Sequence, residues 1–119
     1  MPDPSVLDPQ AIENLRALNP GDNDEFLREI AGIFLEDTPL RIAKLDQCAK
    51  NGDLAKFTRA AHSIKGSSAN IGATALRAAA ATLEHTVRAQ GLVDVTGMVE
   101  TVKAEFARTQ SALADLIRS

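Results

Sequence analysis

Apolar residues recur every three to four positions along most of the chain, and nowhere do they alternate with a period of two. This spacing predicts helices and no strands. Residues 1–7 hold two prolines and read as a flexible lead-in. Asp8 then has the character of an N-cap, with Pro9 at the first helical position. A short helix is expected from there to about Leu18, ended by Asn19-Pro20-Gly21. A long second helix starts near Asp22 or Asn23 and runs to about Lys50, with Phe26, Leu27, Ile30, Phe34, Leu45 and Cys48 on one stripe. Ile33 and Leu40 fall at the margin of that stripe. Pro39 sits inside this helix and predicts a kink or local break near Asp37-Thr38. Gly52 has the position of a C-terminal cap. Asp53 caps a third helix that stops at Gly72. A fourth runs from about Thr74 to Gln90, with Leu76, Ala79, Ala80, Leu83 and Val87 on one side. A fifth runs from about Asp94 to Arg118, with Val95, Met98, Val102, Phe106, Leu113 and Leu116 inward. One stripe per long helix and short connections specify an all-α, antiparallel up-down four-helix bundle. The short first helix is an addition packed across one end. Residues 8–119 are expected to form a single domain.

Composition narrows the core and the partners. The 119 residues suit one hydrophobic core. Four Phe, no Tyr and no Trp leave that core to Leu, Ile, Val and Ala, which suits close helix-on-helix packing. A net charge of −3 argues against nucleic acid as a partner. The single cysteine, Cys48, excludes an intramolecular disulfide and fits a reducing compartment. It lies on an apolar stripe and reads as core. No apolar stretch is long enough to span a bilayer, so no direct membrane contact is expected, nor a signal peptide at the N-terminus.

The candidate chemistry lies in the third helix, in Ala61-His62-Ser63-Ile64-Lys65-Gly66-Ser67-Ser68. At about 100° per residue, Phe57, Ala60, Ile64 and Ile71 fall within about 40° of the direction opposite His62. His62 therefore points at water. Its neighbours on that face are Thr58, Arg59, Lys65, Gly66 and Ala69. No acidic residue is among them, and Lys56 extends the positive charge. A neutral imidazole attacks through a ring nitrogen and is well populated at neutral pH. Lys65 can neutralise an incoming anion as a point charge. Gly66, one turn on, removes a side chain that would crowd the ring, although glycine costs a helix roughly 0.5–1 kcal/mol relative to alanine. The face is suited to receiving a negatively charged group, with phosphoryl the obvious one.

Plainer readings weigh less. A lone exposed histidine is usually only solvated, and His85 serves as the control. It too lies opposite its helix's apolar stripe, but no Lys-Gly pair follows it and Glu84 is adjacent. Two histidines on separate helices make a poor zinc site. Gly66-Ser67-Ser68 lacks the Gly-Lys-Ser/Thr of a phosphate-binding loop and is not a hydrolase elbow. Lys56, Arg59 and Lys65 on a merely solvated face would ordinarily be interleaved with acids.

His62-Ser63-Ile64-Lys65-Gly66-Ser67-Ser68 followed by Gly72-Ala73 resembles the signature of histidine phosphotransfer (HPt) domains of two-component phosphorelays. Phe34-Leu35-Glu36-Asp37-Thr38-Pro39 and Leu83-Glu84 are also similar to the family pattern. The resemblance implies a phosphorelay carrier in bacterial-type signalling rather than an autonomous enzyme. His62 would be the phospho-acceptor, Lys65 its electrostatic partner and Gly66 the clearance. Arg59 would support them, Ser67 and Ser68 would permit close packing, and Gly72 would end the helix. The implied partners are receiver domains of response regulators or hybrid kinases. No intrinsic cofactor or metal is implied, and Mg²⁺ is expected on the partner receiver. The isolated domain is expected to be a monomer in the cytoplasm, free-standing or tethered to the inner membrane through a hybrid sensor kinase, whose C-terminal domains it resembles. The alternative is a module that docks receivers without taking phosphate.

Overall fold

The computed structural model describes residues 5–118. Five helices follow in order: α1 (Pro9–Leu18), α2 (Glu25–Asn51), α3 (Leu54–Ile71), α4 (Thr74–Gln90) and α5 (Thr96–Arg118). α3 packs between α2 and α4, and α5 closes the ring against α4 and α2. α1 lies across α2 and α3. The result is the expected four-helix bundle with a short additional helix, elongated to 47 × 21 × 19 Å. Its axis is filled by Leu45, Phe57, Ile64, Leu83, Val87 and Val102, all essentially inaccessible to solvent. Phe34 and Phe106 meet between α2 and α5 with ring centroids 6.0 Å apart. Among the described residues no helix is long and apolar enough to cross a membrane.

The caps follow the local sequence. The Asp8 carboxylate accepts from the Gln10 backbone N–H at 3.0 Å, and the Asp53 carboxylate accepts from that of Lys56 at 3.1 Å. Gly52 and Gly72 take left-handed φ values of 71° and 78°, which end α2 and α3. Two helix starts come later than expected. Asn23 and Asp24 are left-handed (φ 62° and 64°), so α2 begins at Glu25, and Asp22 instead caps it by accepting from the Phe26 N–H at 2.9 Å. Asp94 is left-handed as well (φ 53°), and α5 begins at Thr96.

Two expectations are corrected. Of the kink or local break expected near Pro39, the break is absent, since α2 is continuous from Glu25 to Asn51. Phe34, Thr38 and Ile42 are buried on either side of it, so packing holds the helix where one backbone hydrogen bond is missing. Within the expected lead-in, Val6 and Leu7 are buried in the core. Val6 C=O accepts from the Thr74 N–H at 3.1 Å, and Asp8 N–H donates to Gly72 C=O at 2.8 Å. The pair of apolar side chains covers the α3–α4 turn. Gly72 admits the close approach of α1 beside this segment, because a Cβ there would stand 2.6 Å from that of Ala11. Residues 1–4 of the lead-in lie outside the described residues.

Candidate functional site

α3 buries Phe57, Ala60, Ala61, Ile64, Ser68 and Ile71 and turns its other face outward. His62 stands on that outer face, its side chain 61% exposed. One edge of the ring is nevertheless anchored. Glu84 projects from α4 with a side chain only 7% exposed, and its Oε2 lies 2.9 Å from His62 Nδ1. The same carboxylate holds Lys65 Nζ at 2.6 Å through Oε1. Arg88, one turn further along α4, donates to Oε2 from Nε at 3.1 Å and from Nη2 at 2.9 Å.

These contacts fix the protonation pattern. The Lys65 ammonium holds the Glu84 carboxyl down at about 2, helped by Arg88 and His62 and opposed by partial burial. Glu84 is therefore ionised at neutral pH and can only accept hydrogen bonds. The His62–Glu84 contact then requires a proton on Nδ1. In a neutral ring this leaves Nε2 with its lone pair unprotonated, as a nucleophile needs. The carboxylate selects the tautomer and orients the ring together.

This overturns one expectation. The face around His62 is not free of acids, for the acid comes from a neighbouring helix. Lys65 is ion-paired, and Lys56 is 3.9 Å from Asp53. Glu84 belongs to α4 and reaches His62 across the α3–α4 groove, a contact that the residues of α3 alone do not reveal. A signal was present nonetheless: Glu84 is one residue beyond Leu83 and four beyond Ala80, at the edge of the α4 stripe. A carboxylate there must either be paired or be paid for in desolvation.

The other singled-out residues separate clearly. Gly66 is exposed, and a Cβ added there would meet no atom within 4 Å. The space beside His62 is open. Ser67 turns its hydroxyl back to the Ser63 and Ile64 carbonyls at 3.0 and 3.3 Å. Ser68 is fully buried in the packing face. Gly72 is at the far end of α3, in the turn covered by Val6 and Leu7. Arg59 is exposed and borders two depressions. One, of about 510 Å³, lies between α3 and α4 and is lined by His62, Arg59, Arg88, Leu54 and Val87. The other, of about 440 Å³, lies between α2 and α3 and is bordered by Leu40, Arg41, Lys44, Lys56 and Arg59. Leu40 and Ile33 are 70% and 51% exposed. Among the described residues, no three His, Cys, Asp or Glu side chains gather as a metal ion would require.

An anchored, exposed imidazole with paired cations beside it and open space above it can accept and release a small anionic group. Comparison with known proteins agrees. The Hpt domain family model matches residues 29–112. Histidine-containing phosphotransfer protein 4 of Arabidopsis thaliana is 28% identical over 109 residues, which are 90% of this chain and 85% of that protein. Multistep phosphorelay regulator 1 of Schizosaccharomyces pombe is 31% identical over 75 residues, 63% of this chain, and the match spans only a quarter of that longer protein. Among solved structures, histidine-containing phosphotransfer protein B (HptB) of Pseudomonas aeruginosa PAO1 superposes with a TM-score of 0.85 at 26% identity, covering 95% of both chains. The HPT domain of a sensor hybrid histidine kinase from Shewanella has the same fold, with a TM-score of 0.75 at 16% identity over 98% of this chain and 97% of that one. The helical bundle, the anchored histidine and the family match together place this chain in the Hpt domain family.

Proposed function

We propose that the domain carries phosphoryl groups on His62 Nε2 between receiver-domain aspartates. In the accepting step the Nε2 lone pair attacks the phosphorus of an aspartyl phosphate. The N–P bond forms as the P–O bond breaks, and the aspartate leaves as carboxylate. The donating step is the reverse. Such transfer is chiefly positioning and charge stabilisation. This chain supplies an oriented nucleophile and the cations Lys65 and Arg88 within reach of the incoming oxygens. Mg²⁺, where it takes part, would be held by the receiver.

The observation that supports this reading best is the Nδ1 contact to Glu84, since it makes Nε2 the free nitrogen on an exposed ring. The groove between α2 and α3 complements it. Exposed Leu40 lies in this groove beside Arg41, Lys44, Lys56 and Arg59, with Asp37 among them, and exposed Ile33 is two turns back on α2, which offers apolar surface beside a mainly cationic rim. A receiver with an acidic rim around its aspartate fits that surface, and the charges act mainly on the association rate. Incubation with phosphorylated receivers tests the proposal. Label on His62, acid-labile and base-stable, with transfer rates that fall as salt rises, supports it. Receiver binding without any label would identify the domain as a docking module instead.

A further inference from the structure

Glu84 does more than choose a tautomer, and we infer that it keeps the Nδ1 proton on the ring after phosphorylation, so that phospho-His62 is held as the cationic, readily discharged form of the phosphoramidate. The inference rests on the carrier reading and concerns the reactivity of the loaded state.

The proton on Nδ1 is 2.9 Å from an ionised oxygen before phosphorylation. When a phosphoryl group bonds to Nε2, the lone pair of that nitrogen is used, and a ring that keeps its Nδ1 proton becomes positively charged. An opposite charge at this distance favours the charged form. The groups around the ring are of both signs. On α3 these are Lys65 and Arg59, and on α4 they are Glu84 and Arg88. On α2, Asp37, Arg41 and Lys44 face the far groove beyond Arg59, where Asp37 and Arg41 lie 3.9 Å apart. Lys65, Arg59 and Arg88 disfavour a charged ring, whereas Glu84 and a phosphoryl dianion on Nε2 favour it, and Glu84 is the group in direct contact with Nδ1. Lys65 holds Glu84 through Oε1 and Arg88 through the same Oε2 that meets Nδ1, so either one turning to the phosphoryl oxygens would release more of the carboxylate's charge to the ring.

The consequence is chemical. As the P–N bond breaks, its electron pair returns to Nε2. With Nδ1 protonated, the leaving group is neutral imidazole. Without that proton it would be an imidazolate, a far poorer leaving group. The proton stays on Nδ1 through loading and discharge alike. Glu84 is thus a positioning residue that never touches phosphorus yet sets the lability of the N–P bond.

The test loads the whole domain chemically with potassium phosphoramidate, without a receiver. Loss of label is followed between pH 6 and pH 9, and the ring nitrogens of His62 are followed by ¹⁵N NMR. In wild type, Nδ1 is expected to keep its proton, and discharge to stay fast, well into the alkaline range. Glu84→Gln can still accept from Nδ1–H but lacks the charge. It should move the alkaline slowing to lower pH by about one unit or more, which makes the label longer-lived on the alkaline side, by up to about tenfold at pH values above both transitions. Arg88→Gln, which removes a cation, should move it the opposite way. Coincident profiles for wild type and Glu84→Gln, or shifts of the same sign in both variants, overturn the inference while the labelling itself upholds the carrier. A wild-type domain that takes no label on His62 overturns both.

Discussion

His62 and His85 are both exposed histidines on the polar faces of neighbouring helices, and they differ in almost everything that matters to chemistry. His85 is the residue next to Glu84 in sequence, but the helix turns the two side chains in different directions. Glu84 goes inward to α3, where it meets His62 and Lys65, and it is also held by Arg88 of its own helix. Among the described residues nothing hydrogen-bonds or ion-pairs with His85. One ring is therefore fixed in tautomer and orientation, and the other is free to rotate in solvent. A histidine's chemical competence is set by the partner brought to it across a groove, rather than by its exposure or by the residues beside it in the chain.

The sharpest way to break the contrast is to remove each ring. His62→Gln should abolish phosphoryl labelling with helical content and melting temperature near wild type, and His85→Gln should leave labelling intact. Label that persists on His85 in the first variant would erase the distinction. Lys65 and Arg59 refine it next. Lys65 touches the Glu84 carboxylate that anchors the ring, whereas Arg59 only borders the depressions. Lys65→Ala should slow the transfer step by about tenfold or more, as loss of a charge-stabilising donor does. Arg59→Ala should weaken receiver association alone. Stopped-flow transfer at several salt concentrations separates the two, and equal losses confined to affinity would make Lys65 a docking residue.

Smaller effects follow from the anchor itself. The folded state holds Glu84 at about 2, below its ordinary 4.5. Its contribution to stability is therefore complete above about pH 5 and is lost as the pH falls toward 2. A shift of this size bounds the contribution at about 3 kcal/mol. Two of its three partners are more than half exposed, so the realised value should be nearer 1 kcal/mol. Urea denaturation of wild type and Glu84→Gln should give midpoints that differ at pH 6 and converge near pH 2. A gap that persists in acid would assign the difference to packing. The smallest effect belongs to Gly66. With open space around it, Gly66→Ala should leave stability unchanged or raise it by up to about 1 kcal/mol. Gly66→Leu should slow transfer by crowding the His62 ring, and a wild-type rate there would remove the reason for a glycine.

The fold was legible in the sequence almost entirely. Single apolar stripes, Asp8 and Asp53 as caps, and Gly52 and Gly72 as stops placed the helices to within a few residues. Where the reading failed, local rules were outvoted by packing or by backbone geometry. Pro39 left α2 continuous because its neighbours are buried, and left-handed Asn23, Asp24 and Asp94 delayed two helix starts. The candidate site was half legible. His62, Lys65 and Gly66 lie on one helix face, and their spacing brings them together without any knowledge of tertiary structure. Glu84 and Arg88 share a face with each other but are 22 or more residues from His62, and only the packing of α4 on α3 unites them. A one-helix projection contains no term for that contact.

The strap formed by Val6 and Leu7 has a consequence for where the folding unit starts. It joins positions some 66 residues apart in sequence by two backbone hydrogen bonds and two inaccessible side chains. A chain trimmed to begin at the first helix would keep every turn of the bundle and lose the lid on the α3–α4 corner. Water would then reach the Ile71–Ala73 end of the core, and the amides of that corner would exchange with deuterium long before those at mid-helix. The fraying would begin at the end of the same helix that carries His62, about 15 Å along its axis, so the sturdiness of that histidine's support depends on two residues that precede the first helix.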